Sequence, residues 1–205
     1  MAAWIRASAL LLAGILASAA ALQAGTPAVP SGEDWYPADV APPPGTQYPC
    51  ALTALPSELP GIPAGDRRFI NHVYSMLLRA TQAKLVLQKA LAGGQGPALA
   101  SAHGQYRRVT GDALAKIRAE PVPAGLDKFR ENVTAALDLQ RTAFERAVQA
   151  RIGGGPVGEE YKVPAARAAS QQLIAAWTQM MLRYPDWPAE MKDSVYHHLC
   201  ALDLF

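Results

Sequence analysis

Beyond residue 65 the apolar positions of this chain recur with the 3.6-residue period of an α-helix, and no stretch shows the strict alternation of a half-buried strand. Prolines and glycine-rich stretches interrupt this pattern four times. The pattern therefore predicts five helices, over about 66–91, 97–119, 124–152, 164–184 and 188–204. Because short loops between helices favour antiparallel neighbours, we predict an all-α, up-and-down helical bundle.

Each predicted helix carries one apolar stripe, and a few positions depart from it. In the first helix the stripe consists of Phe69, Val73, Met76, Ala80, Ala83, Leu87 and Ala90. Asp66 precedes this stripe, so we predict that Asp66 is the N-cap. In the third helix Gln140 falls where an apolar residue is expected. In the second helix Gly104 and Gly111 share a face, which favours either close approach of a neighbouring helix or a frayed first turn.

Residues 25–65 differ from the rest of the chain, because they hold most of its 17 prolines. Proline fixes φ and removes a backbone donor, so neither a long helix nor a central strand is compatible with this composition. We predict a proline-rich arm, flexible over 25–46 and extended along the bundle over 47–65, with a short helical turn near 52–59 as an alternative. The bundle domain itself is predicted to span residues 66–205.

The first 24 residues have the layout of a secretory signal peptide. Arg6 supplies a positive charge, an apolar run follows from Ala7 to Leu22, and small residues close the segment. The run is about sixteen residues long, shorter than the ~20 that cross a bilayer. We therefore predict cleavage after Ala21 or Ala24, no stable membrane span afterwards, and a periplasmic or secreted protein.

Length and charge narrow the classes of partner. The chain has 205 residues and a formal net charge of +2, and removal of residues 1–24 takes away one positive charge. A nucleic-acid binder needs a basic stripe that displaces counterions from phosphates, whereas the pairs Arg67-Arg68 and Arg107-Arg108 are typical of solvated helix faces. We therefore expect no nucleic-acid partner. The length fits one domain with a real core.

The two cysteines, Cys50 and Cys200, lie 150 positions apart. This spacing does not match zinc, thioredoxin-type or covalent haem motifs. In an oxidising compartment such a pair forms a disulfide more often than not, and the alternative is two free thiols. Helical residues turn by ~100° each, which places Cys200 ~140° from Val195 and off the core stripe. We therefore predict that a Cys50–Cys200 disulfide straps the proline-rich arm to the outside of the bundle.

The four histidines do not form a recognisable metal site. His72 is predicted to face solvent, and His103 has no obvious partner in the sequence. His197 and His198 are neighbours whose side chains diverge by ~100°, and His198 borders the apolar stripe as a half-buried residue. Met76 and His198 are the best pair of axial ligands for a non-covalent haem, but both have core explanations. We predict no metal and no cofactor.

The motifs that could indicate a catalytic or nucleotide-binding site lie in a sequence context that does not suit those sites. Residues 153–158 match the spacing G-x-G-x-x-G, but a helix precedes them and Pro156 removes an amide, so we reject a dinucleotide site. Glu159 and Glu160 lie in a glycine-rich loop, where we expect solvent-exposed side chains rather than acid–base catalysts. We predict no catalytic residue.

Tryptophans in irregular segments are a better hint of a surface role. Trp35 lies in the proline-rich arm, and Trp187 lies between two prolines. Aromatic side chains with little to pack against are enriched at recognition sites. The alternative is that Trp187 plugs the end of the bundle and Trp35 covers an apolar seam.

These features favour an exported, non-enzymatic helical protein that binds a protein partner in the cell envelope, such as an inhibitor, an immunity protein or an assembly factor. Two other classes stay open. One is a bundle that carries haem, a metal or a small ligand, and the other is an enzyme whose site forms only in space.

Overall fold

The computed structural model describes residues 52, 54–56, 59–94 and 96–204. Within these ranges all regular secondary structure is helical, which confirms the all-α class. The helices are α1 (Ala64–Gly93), α2 (Pro97–Ala119), α3 (Asp127–Ile152), α4 (Glu159–Lys162), α5 (Pro164–Arg183) and α6 (Ala189–Leu202). The signal peptide and most of the proline-rich arm, including Trp35 and Cys50, lie outside the described residues.

Five of the helices match the predicted ones closely, and the four-residue α4 is the addition. Pro97 and Pro164 each occupy the first helical position, where a missing amide costs nothing. The predicted start of α3 at Ala124 is wrong, because Gly125 has a φ of +87° and the helix begins only after Leu126.

The predicted N-cap of α1 is also wrong. The N-cap position belongs to Pro63, and Asp66 lies inside the first turn. Its carboxylate accepts hydrogen bonds from Arg183 Nη2 at 2.9 Å and from the Tyr184 hydroxyl at 2.5 Å. Burial, with the hydrogen bond to Asp66, raises the pKa of Tyr184. A residue predicted to act locally therefore joins the start of α1 to the end of α5.

Contacts between helix ends establish the direction of each helix. The start of α1 meets the end of α5 through Asp66, and the end of α1 meets the end of α3, where Arg151 Nε donates to the Leu91 carbonyl at 3.2 Å. Neighbouring pairs are α1–α2, α2–α3, α3–α5 and α5–α6, and α6 returns to pack on α1. The first and last helices therefore lie side by side and run parallel.

The core consists of two clusters of buried apolar side chains. Its largest fully buried side chains are Tyr74, Tyr106, Phe69, Phe129, Phe144, Leu55, Ile70, Leu77, Leu87, Leu99, Ile117 and Leu126. Trp187 is also buried and stacks on Tyr184, with ring centroids 4.1 Å apart. Trp187 therefore plugs the end of the bundle, as the second of the two hypotheses states.

The last part of the proline-rich arm belongs to this core. Leu55 is fully buried, and its backbone forms two hydrogen bonds with the Asn71 side chain, N–H to Oδ1 at 2.7 Å and Nδ2 to the carbonyl at 2.9 Å. Residues 69–78 of α1 are buried at every position. Because α1 is covered all round at this level, its polar residues lie inside the molecule.

Neither interpretation of the glycines in α2 holds. The helix is continuous from Pro97, so its first turn is not frayed. A Cβ added at Gly111 meets nothing within 4 Å, and one at Gly104 meets only Arg108 Nη1 at 3.9 Å. Among the described residues, no helix approaches closely at either glycine.

Candidate functional site

An open apolar groove of about 360 Å³ lies between α5 and α6 on the outside of the bundle. It is lined by Leu173, Ile174, Trp177, Tyr196, Leu199, Cys200 and Asp203. We call this feature the α5–α6 groove.

The groove exists because α5 carries more apolar residues than its core-facing side can bury. Leu173, Ala176 and Met180 face the core, whereas Ile174 is 62% exposed and Leu182 is 71% exposed. A surface helix normally presents polar residues on that side. The second apolar face of α5 therefore has no packing role in the described structure.

Two aromatic side chains form opposite sides of the groove. Trp177 on α5 and Tyr196 on α6 are 37% and 51% exposed, and their rings meet edge to face with centroids 6.5 Å apart. Such pairs offer large rigid contact area with a polar atom at the edge, a combination enriched at recognition sites. Trp177 follows the helical period of the buried Leu173 and Met180, so the sequence indicates a core position for it rather than an exposed one, and Tyr196 has no feature that marks it.

Cys200 lies at the edge of the groove and is exposed, as its position off the core stripe predicts. It follows His198 by two positions, so it faces away from α1, on which His198 packs. Cys50, its predicted disulfide partner, lies outside the described residues. The Cys50–Cys200 disulfide therefore stays a prediction.

Beneath the groove, a buried lysine holds the end of α6. Lys84 Nζ donates to three successive backbone carbonyls, those of Ala201 at 2.8 Å, Leu202 at 3.0 Å and Asp203 at 2.6 Å. These carbonyls have no acceptor role within the helix, and a cation at a helix C-terminus also suits its dipole. The role of Lys84 is not recognisable from the sequence, because the residue is flanked by the apolar stripe of α1.

Gln140 and Ser170 complete what we call the Lys84 cluster (Lys84, Gln140, Ser170 and residues 201–203). Gln140 is fully buried, and its Nε2 donates to the Leu202 carbonyl at 2.8 Å. The Ser170 hydroxyl donates to Asp203 Oδ1. The polar residue on the apolar stripe of α3 is thus explained by the helix end that it contacts.

Burial lowers the pKa of Lys84 to about 8, opposed by the Asp203 carboxylate nearby. The ammonium group is therefore charged at neutral pH, and its three donors are all engaged. This arrangement stabilises the α6 end and leaves no free amine for chemistry.

The structure does not bring the two hypothetical haem ligands together. His198 is fully buried rather than half-buried, because it points from α6 into the interface with α1. Its ring stacks on Tyr74 with centroids 3.8 Å apart, and its Nδ1 lies 2.7 Å from the Ser194 carbonyl. Met76 is turned by about 200° from Tyr74 around α1. The two side chains therefore point to different parts of the core.

Two further expectations about histidines are wrong. His72 is buried rather than solvated, beside the end of α2, and this burial lowers its pKa. His103 has a partner on the neighbouring helix, since its Nε2 lies 3.0 Å from Glu145 Oε2. Both histidines therefore contribute to contacts between helices.

The loop acids also differ from the expectation. Glu160 is buried, because residues 159–162 form α4 instead of an open loop. Glu159 pairs with Lys162 at 2.7 Å on the outer side of that turn. The described residues contain no group of three or more His, Cys, Asp and Glu side chains arranged to hold a metal ion.

Within the described part of the chain, no helix has both the length and the apolar character that crossing a bilayer requires. Neither a known protein family, nor a curated protein sequence, nor a solved structure shows a match to this chain.

Proposed function

We propose that this chain is an exported, non-enzymatic protein that binds a protein partner of the cell envelope through the α5–α6 groove. The observation that carries this proposal is the apolar lining of the groove, where Ile174 is exposed beside the Trp177–Tyr196 pair. An exposed apolar groove with a polar residue such as Asp203 at its edge is typical of interaction sites.

The chemistry of the groove specifies the kind of contact. An apolar side chain of the partner would pack in the groove against the Trp177–Tyr196 pair, and Asp203 supplies a polar edge. Aromatic anchors at the centre of a contact commonly carry most of the binding free energy.

A non-enzymatic role is supported by the use of two buried charged groups, Lys84 and Asp66. Lys84 is engaged by three carbonyls, and Asp66 by Arg183 and Tyr184. Groups saturated by structural hydrogen bonds do not offer the free acid, base or nucleophile that catalysis needs.

Export is proposed from the signal-like residues 1–24 and would place the protein in the periplasm or outside the cell. N-terminal sequencing of the protein from each cellular fraction tests this directly. A first residue at Leu22 or Gly25 in the exported fraction supports the proposal, and an intact Met1 in the cytoplasm contradicts it.

Partner binding is tested with a photo-crosslinking amino acid at Ile174, and at Ile152 as the matched exposed control on α3. We expect one polypeptide to crosslink at 174 and not at 152, and to lose the crosslink when Trp177 and Tyr196 are both changed to Ala. The identified polypeptide, purified, should then bind the wild type and bind the double variant at least about tenfold more weakly. Equal binding by both proteins would contradict the groove as the site.

A small apolar ligand is the second candidate, because about 360 Å³ lies at the lower end of the volumes of small-molecule pockets. Native mass spectrometry of the purified protein distinguishes the two. A retained molecule below about 500 Da that the Trp177→Ala variant loses would favour the carrier.

A further inference from the structure

We propose that a depression between α2 and α3 binds a phosphate group, carried either by a small soluble molecule or by a lipid headgroup. The depression is open to solvent and has a volume of about 350 Å³. Among the described residues it is lined by Gly104, Arg107 and Arg108 of α2 and by Arg141 of α3, none of which is acidic. We call it the arginine depression. It lies on other helices than the α5–α6 groove, so this inference does not depend on the proposed function.

The arginine depression is open because one of its lining residues has no side chain. Gly104 lies three and four positions before the two arginines of α2, so the three residues share one side of the helix. A Cβ added at Gly104 would meet only Arg108 Nη1, at 3.9 Å, so the Arg108 guanidinium borders the space that a longer side chain would fill. Close packing among the described helices does not explain this glycine, whereas room for a ligand beside Arg108 does.

The positive charge of the arginine depression is only partly neutralised by the acids near it. Arg141 Nη1 lies 3.8 Å from Asp138 Oδ1, beyond hydrogen-bond distance, and the other oxygen of Asp138 accepts from Arg118. Glu145, one turn after Arg141, pairs with His103 at 3.0 Å. Arg141 Nε is buried and has no hydrogen-bond partner among the described residues. The depression therefore has guanidinium charge and donors that an anion can engage.

Converging guanidinium groups favour phosphate over other anions. Each planar guanidinium can donate to two oxygens of one phosphate, a geometry that arginine provides and lysine does not. A phosphate monoester carries about −1.5 to −2 charges at neutral pH and three acceptor oxygens, so it can engage two arginines at once. The volume exceeds that of a single ion and lies within the range of small-molecule sites, so part of the carrier fits as well.

The same charges do not suit a nucleic acid. Three arginines in one depression do not form a basic stripe along which a polynucleotide backbone could run. The expectation that the chain has no nucleic-acid partner therefore stands beside this inference.

The test is isothermal titration calorimetry of the full chain with inorganic pyrophosphate in dilute chloride buffer. We expect the wild type to bind, and added sodium chloride to weaken the binding, because salt screens exposed charges. Arg108→Gln and Arg141→Gln should each bind at least about tenfold more weakly, since each removes charged hydrogen bonds to the ligand. Arg146→Gln removes the same charge at an exposed position of α3 outside the depression, and should stay within about twofold of the wild type.

Gly104→Leu tests the depression without changing any charge. Its side chain would fill the space beside Arg108, and leucine is a better helix former than glycine, so the variant should fold and still bind at least about tenfold more weakly. This variant and Arg108→Gln, whose side chain is exposed, keep the test decisive if Arg141→Gln fails to fold.

Sedimentation with vesicles distinguishes the two sources of phosphate. Binding to vesicles of phosphatidylcholine with phosphatidic acid, but not to phosphatidylcholine alone, and displaced by pyrophosphate, would assign the site to a lipid headgroup. Binding of pyrophosphate without vesicle binding would assign it to a soluble phosphate compound. Absence of both, or an equal loss of binding in Arg146→Gln and Arg108→Gln, would overturn the inference. None of these measurements involves the α5–α6 groove or its partner.

Discussion

At the scale of single residues, the interior of this bundle depends on polar side chains that contact another helix's backbone. Lys84 and Gln140 come from α1 and α3, yet both donate to carbonyls at the end of α6. Such groups are stabilising only while every partner is in place, because an unpaired buried polar group costs about 1–3 kcal/mol.

We therefore expect Lys84→Met to lower the free energy of unfolding by roughly 3 kcal/mol, since it leaves three carbonyls without their donor. The measurement is urea denaturation, in which the midpoint urea concentrations are compared while the dependence of the free energy on urea concentration stays the same. Lys89→Met, on the exposed side of the same helix, is the matched control and should change little. A midpoint for Lys84→Met equal to that of the control would contradict the role of the cluster.

His198 gives the fold a defined acid sensitivity. Burial lowers its pKa to about 4 from the ordinary 6.5, so between these values the unfolded chain binds a proton that the folded protein does not. This contribution to stability is complete above pH 6.5 and is lost as the pH falls to about 4. At about 1.4 kcal/mol per pH unit, the loss amounts to about 3 kcal/mol.

His198→Phe keeps a ring against Tyr74 but cannot titrate. We expect its free energy of unfolding to fall less steeply between pH 6.5 and 4 than that of the wild type, measured by urea denaturation across that range. Identical slopes for wild type and His198→Phe would show that burial of this imidazole is not the cause.

Whether the sequence reveals the role of such a residue depends on how far away along the chain its partner lies. Gln140 is recognisable as an anomaly, because a polar residue interrupts an apolar stripe, but its acceptor lies 62 positions away. His72 was misassigned for a similar reason, since a polar helix side indicates solvent unless something else covers it. Long-range contacts of this kind leave no trace in local periodicity.

At the scale of the helices, the prolines and glycines between the apolar stretches explain why most helices are predictable from the sequence. Pro97 and Pro164 mark helix starts, whereas the start of α3 was misplaced because the φ of +87° at Gly125 is not visible in the sequence. The short α4 has too few residues to show a period. The exposure of Ile174 on α5 depends on where α6 packs, which the sequence does not show.

Gly111 and Gly155 should respond in opposite ways to an added methyl group. Gly111→Ala should raise the free energy of unfolding by up to ~1 kcal/mol, because it lies inside α2 with open space around the new methyl group. Gly155→Ala should lower it, since the added Cβ would lie 2.8 Å from the Ala150 carbonyl oxygen. Thermal unfolding of both variants measures the difference, and shifts of the same sign would contradict it.

At the scale of the whole molecule, the segment before α1 is part of the fold. Leu55→Ala should lower the free energy of unfolding by about 2–5 kcal/mol, because it removes a fully buried side chain. Leu182→Ala is the same change at an exposed position and should have little effect. Chemical denaturation compares the two, and equal midpoints would show that residues near 55 do not contribute to the core.

The parallel pairing of the first and last helices has a consequence for the time course of folding. The acceptors of Lys84 come 117 to 119 positions later in the chain. Lys84 therefore has no hydrogen-bond partners in a chain that has formed α1, α2 and α3 but not yet α6. Contacts this distant in sequence slow folding relative to local helical hairpins. We expect docking of α6 to be the late, rate-limiting event, so that the growing chain stays loosely structured until its final helix has been synthesised.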